Sequence, residues 1–218
     1  MKILKVLNSY CGIGGNRKLW DNIKGIKLEI TAVEYKQEIA DIYHDFFPND
    51  KIVVADAHQY LLDHFKEFDF IWSSPPCPTH SKARYAMAKS ENETFKEKYN
   101  QKPIYPDMKL YKDILFLRGY FKGKYCVENV VAWYKPLIVP QEIESHWWWS
   151  NFVIQPYKSG KNREHNSCVK VLEKRKGFNL NGYNKIDKAL LLRNCVEPEI
   201  GKHILTCALG LQRQKPLL

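Results

Sequence analysis

The sequence predicts an α/β protein built on a doubly wound, mostly parallel sheet. Three observations carry this reading. Strand-like and helix-like patterns alternate as β-α-β-α-β-α-β over about the first 72 residues. A glycine-rich turn, Tyr10-Cys11-Gly12-Ile13-Gly14-Gly15-Asn16, follows the first strand directly. Polar residues suited to chemistry recur at the ends of the strands, where open α/β sheets place their ligands.

Each element has its own justification. Residues 3–9 are a short apolar-rich run and read as the first strand. Arg17–Ile23 follows the glycine turn and is expected to be a helix. Residues 28–34 form a second strand that ends in an acid, Glu34. From Lys36 to Phe47, Ile39, Ile42, Tyr43, Phe46 and Phe47 fall on one helical face, and Pro48-Asn49-Asp50 stops the helix. Lys51–Ala55 is a third strand, 58–66 a helix and 68–72 a fourth strand. Residues 82–102 read as a long polar loop, of a length that is usually functional or mobile. Asp107–Tyr120 is amphipathic, and Lys124–Val131 is a fifth strand. Ser145–Ile154 reads as a strand in which Trp148 faces away from Trp147 and Trp149, all three packing in the core. Residues 157–185 read as basic and irregular. Lys188–Asn194 and Ile200–Leu211 look helical. No internal repeat or low-complexity linker is present.

At 218 residues the chain is expected to be one domain, 1–218. No apolar run reaches the roughly 18 residues that a membrane span needs. The first residues run into a strand rather than a signal peptide, so a soluble, cytoplasmic protein is expected. The cysteines, 11, 77, 126, 168, 195 and 207, include no Cys-x-x-Cys pair and no zinc spacing, so no metal is expected. Lysine and arginine number 34 against 24 acids, a net charge of +10 that favours a polyanionic partner.

The chemistry gathers at four places. The glycine turn brings backbone close to a ligand, but lacks the Gly-x-Gly-x-x-Gly spacing of a dinucleotide site. Glu34 stands where an acid accepts ribose hydroxyls, Tyr35 offers a stacking face, and Asp56 ends the third strand where it can hold an adenine amino group. These read together as an adenosine-type cofactor site. Ser73-Ser74-Pro75-Pro76-Cys77-Pro78-Thr79-His80-Ser81 holds Cys77 on a stiff turn, since its prolines exclude helix and remove amide donors. Glu128, with Asn129 beside it, closes the next parallel strand. A thiolate attacking carbon 6 of cytosine makes carbon 5 nucleophilic, and a glutamate kept neutral by burial can protonate ring nitrogen 3.

In these blocks the chain resembles the DNA (cytosine-5) methyltransferases. Tyr10–Gly15 looks like their cofactor loop, Glu34-Tyr35 and Ala55-Asp56 their next two motifs, and Pro76-Cys77 their catalytic Pro-Cys. Glu128-Asn129-Val130 resembles their Glu-Asn-Val motif, and Arg193–Gly201 the closing motif. The extended Pro-Pro-Cys-Pro-Thr-His-Ser form is similar to the compact, phage-type branch. The resemblance implies the Rossmann-like fold of S-adenosylmethionine-dependent methyltransferases, and methyl transfer to a flipped-out cytosine in double-stranded DNA. It implies Cys77 as nucleophile, assisted by Pro76, Glu128 and Asn129. Tyr10, Cys11, Gly12, Gly14, Gly15, Glu34, Tyr35, Asp56 and Asn194 become cofactor contacts, with S-adenosylhomocysteine as product. Ser81, Lys82, Arg84, Lys158, Lys161 and Arg163 become candidate nucleic-acid contacts, and 82–102 the segment that closes over substrate. It also suggests a prokaryotic or bacteriophage setting, with restriction–modification or protection from restriction as the purpose.

Two departures stand out. The family's Gln-x-Arg-x-Arg motif has its nearest match at Val139–Ser145, which holds no arginine. His146, Arg84 and Arg163 are the candidates to substitute, or the role is missing. Residues 155–193 form a small basic insert, too short for the usual recognition domain, which implies short or relaxed sequence specificity. Two other readings stay open: methylation of RNA or a free pyrimidine nucleotide, and a degenerate methyltransferase fold that only binds nucleic acid or a partner.

Overall fold

The computed structural model describes residues 2–89, 105–158 and 168–211. Seven strands form one sheet: β1 (Lys2–Ser9), β2 (Ile26–Glu34), β3 (Lys51–Val54), β4 (Phe70–Ser73), β5 (Lys124–Val130), β6 (Gln141–Ile143) and β7 (His146–Ser150). Their order is β3-β2-β1-β4-β5-β7-β6. The first five run parallel, and the last two join antiparallel to β5 and to each other. The doubly wound α/β architecture expected from the sequence is therefore present. The direction of the order reverses between β1 and β4, and the crevice at such a point is where ligands bind.

The helices are α1 (Gln37–Phe46), α2 (Ala57–His64), α3 (Lys82–Ala88), α4 (Lys109–Tyr120), α5 (Val169–Lys176), α6 (Lys188–Asn194) and α7 (Pro198–Ala208). Strand alternation sorts the core onto two faces. Leu7, Ile71 and Val127 pack with Leu61 of α2 and Leu110, Ile114 and Leu117 of α4. Val6, Phe70, Trp72 and Cys126 face the other way, against Trp20 and Ile200, Ile204 and Leu205 of α7. A third cluster joins Ala32 and α1 (Ile42, Tyr43) to Leu172 and Leu192 of α5 and α6. The tryptophans obey the predicted alternation: Trp147 and Trp149 join the first cluster and Trp148 the second.

Three expectations need correction. Arg17–Ile23 is not an α-helix; only Trp20–Asn22 make a 3-10 turn. The Arg17 side chain is instead drawn into the interior, where it donates to Asp50 at 2.9 and 3.2 Å and to Asp21 at 2.9 Å. Residues 157–185 are not wholly irregular, because Val169–Lys176 is a helix closed by Gly177 at φ 71°. Leu172 anchors it, yet its polar composition hides that single apolar point. Residues 82–88 are helical rather than loop, started by Ser81, whose Oγ accepts from the Arg84 amide. The remainder of the expected closing segment, from 90 to 102, lies outside the described residues.

Candidate active site

The glycine turn leaves β1 with Tyr10 at φ 57° and Gly12 at φ 53°, left-handed conformations that favour glycine at the second position. A side chain at Gly12 would meet nothing within 4 Å, so the turn borders open space. Its amide donates to Glu34 at 3.2 Å, while the other Glu34 oxygen accepts from the Lys36 amide at 3.1 Å. Below the turn, Asn8 and Asn16 bond each other side chain to side chain. Cys11 lies buried beneath the turn, and burial pushes its thiol well up. Gly15 is pressed from the far side: a Cβ there would stand 2.6 Å from the Val196 carbonyl oxygen. The segment after Asn194 is thus docked onto the cofactor turn. Lys176 secures that docking from α5, donating to the Cys195 carbonyl and pairing with Glu197 at 2.8 Å.

Glu34 and the end of β3 lie side by side, Glu34 opposite Val54. Tyr35 is 73% exposed, leaving its ring face available. Asp56 caps α2 by accepting from the Gln59 amide at 3.0 Å and is paired with Lys109 at 3.2 Å. These contacts hold the Asp56 carboxyl below the usual range, the Gln59 bond foremost. An adenosine group fits this mouth: open space over Gly12, an unstacked ring, and acids on two neighbouring strand ends. Asn194 itself is exposed at the end of α6, and its predicted contact with the cofactor rests on the docking of Cys195 and Val196 beside it.

Cys77 and Glu128 come from neighbouring parallel strands, as expected. β4 pairs with β5 through Ser73 and Val127. Asn129 donates from its side-chain amide to the Pro75 carbonyl at 2.9 Å. The His80 and Ser81 amides both return to the Cys77 carbonyl, at 2.9 and 3.1 Å, closing a tight turn. The stretch after β5 straps this turn down. Trp133 donates from its indole to the Thr79 carbonyl at 3.0 Å, His80 meets the Tyr134 hydroxyl at 2.5 Å, and Ser81 bridges to Ala132. Tyr85 of α3 stacks on Trp133 at 4.2 Å with rings 5° from parallel. Pro76 is exposed at the mouth and Cys77 is half-buried. Burial pushes the Cys77 thiol up, and the Glu128 charge adds to it.

Two further residues, Asp113 and His58, were not singled out from the sequence. Asp113 of α4 is fully buried, accepting from Ser73 Oγ at 2.7 Å and meeting His58 at 2.5 Å. The signal was there: an acid beside Ile114 on the apolar face of an amphipathic helix. The buried Tyr10 hydroxyl lies near this acid, and burial followed by the Asp113 charge pushes the phenol up. His146 stands 3.5 Å from Glu128 on β7. Of the other arginine substitutes considered, Arg84 lies on α3, and Arg163, like Lys161, lies outside the described residues. Lys82 and Lys158 are exposed. Among the described residues, no group of three His, Cys, Asp or Glu side chains is arranged to hold a metal, and no helix is long and apolar enough to cross a membrane.

Sheet order and reversal point define the Rossmann-like fold of S-adenosylmethionine-dependent methyltransferases. Residues 4–101 match the family model described as C-5 cytosine-specific DNA methylase, so the sequence resemblance holds over that part of the chain. Among solved structures, the Entamoeba histolytica methyltransferase EhMeth is 11% identical with a TM-score of 0.54, the match covering 98% of this chain and 100% of that one. The S. pombe Dnmt2 methyltransferase is 19% identical with a TM-score of 0.40, and the Spodoptera frugiperda DNMT2 mutant E260A/E261A/K263A is 25% identical with a TM-score of 0.38. Each match covers 59% of this chain and 35% of the other, so the chain spans about a third of those proteins. No curated protein matches. The family-model match over residues 4–101 and the fold together imply S-adenosylmethionine as the cofactor and support a cytosine C5 methyltransferase.

Proposed function

We propose that the chain is a single-domain DNA (cytosine-5) methyltransferase acting through a covalent Cys77 adduct on a flipped-out cytosine in double-stranded DNA. The observation that carries this is that the Cys77 turn and the Glu128 strand end lie side by side, with Asn129 tying the two segments together.

S-adenosylmethionine, when bound, supplies an electrophilic methyl group. Glu34, Tyr35 and Asp56 hold its adenosine part, and the docked segment after Asn194 borders its amino-acid part. The chain's own residues do the rest. The Cys77 sulfur bonds to carbon 6 as its proton passes to the Glu128 carboxylate and from there to ring nitrogen 3. Carbon 5 becomes nucleophilic and takes the methyl group. Loss of the carbon 5 proton to water, rupture of the sulfur–carbon bond and return of the nitrogen 3 proton through Glu128 to the sulfur restore the ring and the thiol. Burial and the Glu128 charge hold the free thiol protonated until the base accepts its proton through Glu128.

Ser81, Lys82 and Arg84 on and before α3, with Lys158, Lys161 and Arg163, are the proposed phosphate contacts. The small insert at 155–193 supports short or relaxed specificity. The cytoplasm of a prokaryotic host, and protection from restriction or restriction–modification, are the proposed setting. Incubation with labelled S-adenosylmethionine and DNA, followed by bisulfite mapping, tests the activity. Methylation confined to one long motif would sink the relaxed specificity. A 5-fluorocytosine adduct formed on RNA but not on DNA would overturn the substrate.

A further inference from the structure

We infer that His146 is a positioning residue that fixes the Glu128 carboxyl for the base, an inference that rests on the Cys77–Glu128 reading. β7 runs antiparallel to β5 with His146 opposite Val130 and Trp148 opposite Glu128. Side chains two apart on a strand share a face, so His146 and Glu128 are diagonal neighbours on one face. His146 Nε2 lies 3.5 Å from Glu128 Oε1. That is long for a hydrogen bond, as contacts awaiting a substrate often are, and a small carboxyl rotation closes it.

The ring's other nitrogen selects its role. His146 Nδ1 is buried and has no hydrogen-bond partner among the described residues. A proton on Nδ1 would leave a buried donor unpaired, at a cost that an unpaired lone pair largely avoids. The proton therefore sits on Nε2, and His146 is a donor aimed at Glu128. It is held rigidly, because the next three residues, Trp147, Trp148 and Trp149, are all buried and its ring tilts over Trp148 at 6.2 Å. His146 thus faces one Glu128 oxygen, and in the proposed complex the other meets the incoming ring nitrogen. No residue of β5 itself supplies this donor: Asn129 is spent on Pro75 and on the Val130 amide.

The test compares His146→Gln, whose amide nitrogen can reach the Nε2 position, with His146→Asn, whose amide stops at the Nδ1 position. Both are made in the full chain. Initial rates on DNA, 5-fluorocytosine trapping and S-adenosylhomocysteine binding are measured for each. The expected result is a loss of about 10²-fold in kcat for Asn, with KM for DNA and cofactor binding within about twofold of wild type, and recovery of most of that loss in Gln. Equal rates in both variants, high or low, overturn the inference. If Asn loses cofactor binding through misfolding, Gln decides: a kcat below about a tenth of wild type overturns it. A wild-type protein that forms no 5-fluorocytosine adduct overturns the underlying function instead, and the inference falls with it.

Discussion

Asn129 donates to the Pro75 carbonyl at 2.9 Å, and this one bond joins the strand of Glu128 to the turn of Cys77. Both partners are buried, so losing it strands a carbonyl without a donor. Asn129→Ala is expected to cost about 1–3 kcal/mol in denaturant unfolding. It should also slow 5-fluorocytosine trapping while leaving cofactor affinity unchanged. Wild-type trapping rates in this variant would show that the turn is held without this bond.

The Cys77 thiol should respond to Glu128. The carboxylate is the second cause, after burial, of its upward displacement. Glu128→Gln removes that charge, so the thiolate becomes less costly and the thiol titrates lower. Alkylation of Cys77 by iodoacetamide near pH 8 is expected to speed up, while methyl transfer is lost. Slower alkylation would mean that Glu128 does not face the sulfur.

Lys109 competes for the acid expected to hold adenine. It pairs with Asp56 at 3.2 Å, with both side chains 46% exposed. Such a pair is worth about 0–1 kcal/mol, so Lys109→Ala should tighten S-adenosylhomocysteine binding by at most about fivefold. Asp56→Asn should weaken it. Calorimetric titration at low salt measures both, and weaker binding in Lys109→Ala would recast the lysine as a cofactor contact.

His58 makes stability depend on pH. Its bond to the buried Asp113 raises its affinity for a proton above the unfolded value near 6.5. The contribution is therefore complete below about pH 6.5 and fades as pH rises through the raised folded value. His58→Gln should lower Tm most at acidic pH, and the gap should narrow on the alkaline side. A gap that widens with pH would show that the imidazole is held neutral.

The parallel half of the sheet was legible because its strands are short apolar runs punctuated by turn residues at each end. The site was legible where side chains sit at strand ends, as Glu34, Asp56, Cys77 and Glu128 do. What stayed hidden depends on contacts between distant segments. Arg17 looks like an ordinary helix opener until Asp50, 33 residues later, draws it inward. Helix α5 has too polar a surface for periodicity to reveal it, and Leu172 and the buried Lys176 help tie it down. Asp113, His58 and Ser73 belong to three different elements, and nothing local announces their meeting.

The sheet also carries a safeguard in its outermost members. One margin is β3, with four residues, and the other is β6, with three. Each offers a foreign strand few open backbone groups, and each places a charge, Lys51 or Glu142, on the rim. A chain with so many buried aromatics and strand-forming residues is thereby kept from templating its own aggregation.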